Sequence, residues 1–202
     1  MPKLLQINIT ANWGSHGKIA EGIGLTVMKH GWESYIAYGR WKNPSKSQLY
    51  HIGCYLDEIV HGISSRVFDN QGLMSHIATI KLIKYIKKIK PDVIQLHNIH
   101  GYYLNYPILF HYLKVSGIPV VWTLHDCWSF TGHCAHYMYK GCDRWKTNCH
   151  NCPLKSNYPK SILFDHSLSN FKKKRKLFNS LQNLTLVPVC KWLNEEVAQS
   201  FL

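Results

Sequence analysis

Residues 91–126 read PDVIQLHNIHGYYLNYPILFHYLKVSGIPVVWTLHD, and the succession of patterns inside them decides the fold. Asp92 to His97 (DVIQLH) is a short apolar run that follows a helix-stopping proline. Pro119 to Leu124 (PVVWTL) is a nearly continuous apolar run of the kind carried by a strand buried on both faces. Tyr106 to Val115, between them, reads as a helix. Strand, helix, strand in that order asks for a parallel sheet with right-handed crossovers and helices on both faces.

The alternation continues outward from this unit. Toward the N-terminus, Leu4 to Ile9 is an apolar strand, and Ser15 to His30 is a helix with Ile19, Ile23 and Val27 at helical spacing, stopped by Gly31. Ser34 to Tyr38 is a second strand. Leu56 to Phe68 (Leu56, Ile59, Val60, Ile63, Val67) and Ser75 to Lys90 (Ile77, Ile80, Ile83, Ile86) are amphipathic helices. Toward the C-terminus, regular pattern lapses from His125 to about Pro159 in a segment rich in Cys, His, Gly, Asn and aromatics. A basic helix (Ser167 to Asn179), a strand (Leu184 to Val189) and a last helix (Trp192 to Leu202) follow. The expected fold is α/β, a Rossmann-like doubly wound parallel sheet with an irregular Cys-rich insertion over residues 125–159.

The 202 residues are 46% hydrophobic, enough to bury the core of one domain. No apolar run is long enough to span a membrane, and the N-terminus lacks the features of a signal peptide, so the expected location is the cytoplasm. Twenty-four Lys and Arg against eleven Asp and Glu give a net charge of +13, which favours polyanionic partners: nucleotide phosphates, anionic lipid or nucleic acid. Lys81, Lys84, Lys87, Lys88 and Lys90 fall on one helix and Lys172, Lys173, Lys174, Arg175 and Lys176 on another. These read as solvated faces singly, and together as a surface suited to an anionic membrane.

In a doubly wound sheet, ligands gather beyond the C-terminal ends of the strands. Three places qualify. After the first strand, Gly14, Ser15, His16 and Gly17 open a helix whose N-terminal amides face any bound anion; the pattern is neither GxGxxG nor a P-loop. His97, Asn98 and His100 lie at and after the end of the run DVIQLH, and His125 and Asp126 follow PVVWTL. Facing one cleft, these histidines would hydrogen-bond sugar hydroxyls or move a proton, and Asp126 would act as a base.

Five of seven cysteines lie between Cys127 and Cys152. Cys134, Cys142, Cys149 and Cys152, ending in C-x2-C, suit the tetrahedral demand of a structural zinc; free thiols or adventitious disulfides are the alternative. Cys54 and Cys190 read as buried, unreactive cysteines.

INITANWGSHGKIAEGIG, PDVIQLHNIHGYYLNYPILF, PVVWTLHDCWSFTGHC with its trailing GCDRWKTNCHNCP, and VPVCKWLNEEVAQSFL together resemble the bacterial family 4 glycosyltransferases of capsular and exopolysaccharide synthesis. The resemblance implies a GT-B fold of two Rossmann-like domains. Residues 1–202 would form the N-terminal, acceptor-side one, and the C-terminal domain that holds most of the nucleotide-sugar donor lies outside this sequence. It implies that Gly14 to Gly17 line the cleft near the donor phosphates and that His125 contacts the donor sugar, with Asn98 and Asp126 beside it. It also implies retention of anomeric configuration, no metal at the reacting centre, and a glycan or polyprenyl-diphosphate-linked acceptor at the inner membrane face. These residues alone are then expected to be inactive. Two other classes stand beside this one: a zinc-containing nucleic-acid-binding module, and a free-standing glycan- or lipid-binding domain. Many aromatics lie in apolar strands, apart from the basic helices, so nucleic acid is not the expected partner.

Overall fold

The computed structural model describes residues 1–202. Six strands, β1 (Lys3–Asn8), β2 (Glu33–Tyr38), β3 (Gln48–His51), β4 (Val93–Leu96), β5 (Val120–Leu124) and β6 (Leu184–Pro188), form one sheet in the order β3-β2-β1-β4-β5-β6. All neighbours pair in parallel. Six helices connect and flank them: α1 (Gly14–Lys29), α2 (Tyr55–Phe68), α3 (His76–Ile89), α4 (Tyr106–Ser116), α5 (Ser167–Phe178) and α6 (Lys191–Ala198). The Rossmann-like α/β expectation therefore holds. None of the helices is long and apolar enough to cross a membrane.

The strand order reverses between β1 and β4, and that reversal opens the crevice at which doubly wound sheets take ligands. Register makes the crevice level: Ile7 lies opposite Leu96, and Leu96 opposite Trp122. The residues that leave β1, β4 and β5 thus emerge side by side.

Each sequence element appears within a few residues of its expected bounds, with two differences. Strand β3 was not expected; it pairs only with β2 at the sheet edge and has two exposed and two half-buried residues. The last helix ends at Ala198 rather than Leu202; Phe201 then turns back, edge-on against Phe171 at 5.0 Å.

Helix faces differ more. The α2 stripe of Leu56, Ile59, Val60 and Ile63 is exposed, and His61 and Ser65 are the buried positions. In α3, Ile77 and Ile80 face solvent while Ala78, Thr79, Leu82, Ile86 and Ile89 face the core. Helix α1 packs through a small-residue face, Gly17, Ala20 and Gly24, and Ile19 is exposed. A Cβ on Gly17 would meet Thr10 Oγ1 at 2.6 Å, so only glycine lets α1 lie this close to the end of β1.

Residues 125–166 contain no long element, only three 3-10 turns, Trp128–Phe130, Tyr137–Lys140 and Arg144–Lys146. The segment is fastened to the core by Trp128, Phe130, Tyr137, Trp145 and Leu154. The basic face of α5 is not uniformly solvated: Lys172, Lys173, Arg175 and Lys176 are exposed, but Lys174 is buried. Cys54 and Cys190 are exposed, not buried, because each sits at the N-terminal boundary of a surface helix, α2 and α6.

Candidate active site

Three histidines meet at the switch point. His97 directly follows β4, His125 directly follows β5, and His16 stands on the first turn of α1. The His97 and His125 rings stack with centroids 5.3 Å apart, and His16 and His125 are 5.8 Å apart.

Their hydrogen bonds fix which nitrogen carries each proton. Gln6 Nε2 donates to the Ala20 carbonyl of α1 at 2.8 Å, so Gln6 Oε1 is an acceptor, and His97 Nε2 donates to it at 3.0 Å. His97 Nδ1 must then accept, and it does so from His125 Nε2 at 3.1 Å. A chain of oriented bonds therefore runs from the backbone of α1 to His125 and leaves His125 Nδ1 as an acceptor toward the cleft. By the same reasoning His16 Nδ1 donates to Asn8 Oδ1 at 3.1 Å, which leaves its Nε2 as an acceptor.

All three rings are neutral at pH 7. Burial, reinforced by His125 and His16, lowers His97 to about 3. Burial lowers His125 to about 4, with His16 adding to the effect. His16 is also lowered by burial, then by His100. The site offers hydrogen-bonding imidazoles rather than cations.

Asp126 is placed differently from a free base. One carboxylate oxygen accepts the Trp128 amide at 2.9 Å and the other accepts His100 Nε2 at 2.9 Å. Burial pushes its pKa up, but the His100 contact and the backbone bond outweigh that and hold it below the usual carboxylate value. His100 Nδ1 in turn meets the Tyr158 hydroxyl at 3.1 Å. Asp126 therefore anchors the far end of the irregular segment to the cleft.

One small pocket is lined by His97, Asn98, His100, His125 and Asp126. His16 joins this group through its ring contact, Gly17 supplies the close approach of α1, and Gly14 takes the left-handed turn that starts the helix (φ +66°). Ser15 points to solvent. Gln6, Asn8 and Tyr158 also belong to the site; Gln6 and Asn8 are visible in the sequence as polar residues inside an apolar strand, and Tyr158 carries no such signal.

Cys134, Cys142, Cys149 and Cys152 line a second, separate gap with His133 and His150. All seven cysteines are free, and no three His, Cys, Asp or Glu side chains stand at metal-binding spacing.

Residues 14–152, well over half of the chain, match the family described as Glycosyltransferase Family 4. The chain belongs to glycosyltransferase family 4. It is 27% identical over 221 residues to WcaC of Escherichia coli (strain K12), a protein named for colanic acid biosynthesis glycosyl transfer; the match covers 98% of this chain and 50% of that one. The family 4 chain thus spans about half the length of this relative. Among solved structures, Acinetobacter baumannii MurG aligns with 62% of this chain and 35% of its own at 13% identity and a TM-score of 0.38.

Two buried histidines in this family 4 domain make stability depend on pH. His61 Nε2 accepts the Gly72 amide and its Nδ1 donates to Ser75; burial and His76 lower it to about 4, alongside His97 at about 3. Both folded values lie below the unfolded value of about 6.5. Between those limits the unfolded chain binds more protons, so stability is complete above pH 6.5 and falls as the pH drops, by about 1.4 kcal/mol per unit for each group. Urea midpoints should fall steeply from pH 7 to pH 5; equal midpoints at the two would contradict the neutral, buried assignment.

Proposed function

We propose that these residues are the acceptor-side domain of a sugar-nucleotide-dependent glycosyltransferase of cell-surface polysaccharide synthesis. The observation that carries this reading is the relay Ala20–Gln6–His97–His125, which presents a neutral imidazole acceptor at the switch point of the sheet. A neutral, oriented nitrogen suits a sugar hydroxyl. In this reading His125 contacts the donor sugar beside the anomeric carbon, with Asn98 and His16 alongside, and Gly14 to Gly17 approach the donor diphosphate. A second Rossmann-like domain, completing a GT-B fold, supplies most of the nucleotide site. An acceptor hydroxyl attacks the anomeric carbon while its bond to the diphosphate breaks, with retention of configuration. The N-terminal amides of α1 face the developing negative charge.

A groove of about 300 Å³ is lined by Arg40, Tyr55, Glu58, Ile63, Arg66 and Tyr102; Arg40 is paired with Glu58 at 3.1 Å, and Arg66 has no carboxylate partner. The Arg66 guanidinium beside exposed isoleucines suits a diphosphate on a polyprenyl chain, and the outward stripe of α2 would lie along the inner face of a cytoplasmic membrane. Replacing Arg66 by alanine is expected to raise KM for a lipid-diphosphate acceptor roughly tenfold, the worth of one charge-assisted hydrogen bond. KM for the donor should not change; an unaltered acceptor KM would exclude the groove.

In this reading the cysteine pocket has no part in the sugar chemistry, and a zinc ion there would be structural. A nucleic-acid module has less support: Trp122, Trp128, Trp145, Tyr103 and Tyr106 are buried in the core, and the exposed Trp13 and Trp41 rings pack on each other at 4.7 Å.

The test is release of nucleoside diphosphate from a panel of UDP- and GDP-hexoses by the protein containing both domains, with polyprenyl-diphosphate-linked glycans as acceptors. Acceptor-dependent release, lost when residues 1–202 are assayed alone, is the expected result. Glycan binding with no release from any donor would instead indicate a binding domain.

A further inference from the structure

The cysteine pocket sits in an environment that free thiols do not require. It is a gap of about 10 Å³, room for one water-sized sphere, and all four cysteines line it. Cys134 and Cys149 are buried and Cys142 and Cys152 half-buried, so the gap is largely shut off from solvent.

His133 gives an independent indication. Its side chain is fully buried, Nδ1 is bound to Asp69, and Nε2, the atom left over, has no partner although its ring lines the gap. An orphaned buried ring nitrogen costs stability unless something occupies the place it faces. Asp69 is itself held in place: its second carboxylate oxygen accepts the His166 amide at 2.8 Å and its carbonyl accepts Asn170 Nδ2 at 2.7 Å. With Nδ1 held by Asp69, the His133 Nε2 is left to face the thiols, where as an outer group it can hydrogen-bond a metal-bound sulfur.

Charge points the same way. Lys174 is a buried amine without a carboxylate partner; Nζ donates to the carbonyls of Trp128 and Thr131 at 2.7 and 3.1 Å and lies 3.4 Å from the Trp128 ring centroid. Four thiolates around a divalent ion leave an excess negative charge, and Lys174 is placed to balance it.

We propose that this pocket binds one zinc ion through the thiolates of Cys134, Cys142, Cys149 and Cys152, with the Asp69–His133 pair and Lys174 as the outer groups that orient and neutralise the site. The sulfurs are not at ligand spacing from one another. All four border the same gap, and the proposal requires their side chains to close on an ion about 2.3 Å from each sulfur. Binding releases the thiol protons, and no redox step is involved. The ion would tie the Cys134–Cys152 stretch to the ends of α2 and α5, and so hold the segment that begins with Asp126 and ends with Tyr158 at the cleft.

The test is metal content of the purified protein, then thiol reactivity with and without a chelator, then replacement of zinc by cobalt. One zinc per chain, four thiols that react only after chelation, and a tetrahedral four-sulfur cobalt spectrum are expected. C142S and C152S should lose that spectrum, whereas C54S and C190S should keep it. H133Q should keep four-sulfur ligation but bind zinc about 10- to 100-fold more weakly in competition with a chelating dye. A metal-free protein whose thiols all react at once would overturn the site. A three-sulfur, one-nitrogen cobalt spectrum would overturn the ligand set, and unchanged affinity in H133Q would overturn the role of the Asp69–His133 pair. The wild-type measurements need no variant to fold, and none of the readouts depends on sugar transfer.

Discussion

Replacing His125 by alanine is expected to lower kcat/KM for sugar transfer by about 100-fold or more, within the range that positioned hydrogen-bonding and proton-transfer groups contribute. His125 is only half buried, so the cavity left behind is open to solvent. The stability cost comes from its neighbour. His97 Nδ1 loses its donor inside a buried site, at about 1–3 kcal/mol. The two effects separate experimentally: His97→Gln removes the support without removing the cleft nitrogen, so its loss of activity should be smaller than that of His125→Ala. A His125→Ala protein transferring sugar within threefold of wild type, in an assay that includes the donor-side domain, would remove His125 from the reaction.

The relay also explains what the sequence could reveal. His97 and His125 were legible because each ends an apolar strand, and strand ends in a parallel sheet converge. The groups that orient them were not. Gln6 reaches His97 across 91 residues and Tyr158 reaches His100 across 58, contacts that arise only from the register of the sheet and the path of an irregular segment. The strand and helix order was readable for the same reason as the strand ends: parallel strands carry apolar runs, as even the edge strand β6 (LTLVP) does, and only β3 escaped, a four-residue edge strand (QLYH) with no such run. Periodicity located a stripe on α2 but not its direction. There the buried face is held by His61, bonded to Ser75 and Gly72, while the isoleucines face outward. Cysteine spacing pointed to a possible site, yet Asp69, 64 residues from His133, and Lys174 carry no local pattern that would connect them to it.

Replacing Phe178 by alanine is expected to destabilise the domain by about 3–5 kcal/mol, a large part of the roughly 5–15 kcal/mol that holds a domain folded. Phe178 is fully buried at the C-terminal end of α5, and its ring centroid lies 4.5 Å from Phe110, 4.8 Å from Trp122 and 5.4 Å from Tyr106. These rings come from α4, β5 and α5, so the side chain joins the β4–α4–β5 unit to the helix that follows the cysteine segment. Its removal leaves a cavity walled by large rigid rings that cannot collapse to fill it, and it forfeits several edge-on aromatic contacts worth about 0.5–1.5 kcal/mol each beyond area burial. Phe178→Leu keeps most of the volume and should cost less than half as much. The consequence reaches the cleft. The same helix carries Lys174, which holds the Trp128 and Thr131 carbonyls, and Trp128 donates the amide that fixes Asp126. Loosening α5 should therefore lower activity at temperatures where the fold still persists, so that denaturant midpoints and transfer rates fall together along the series Phe178, Leu, Ala. A Phe178→Ala protein with an unchanged midpoint would mean that α5 is held by its surface contacts instead.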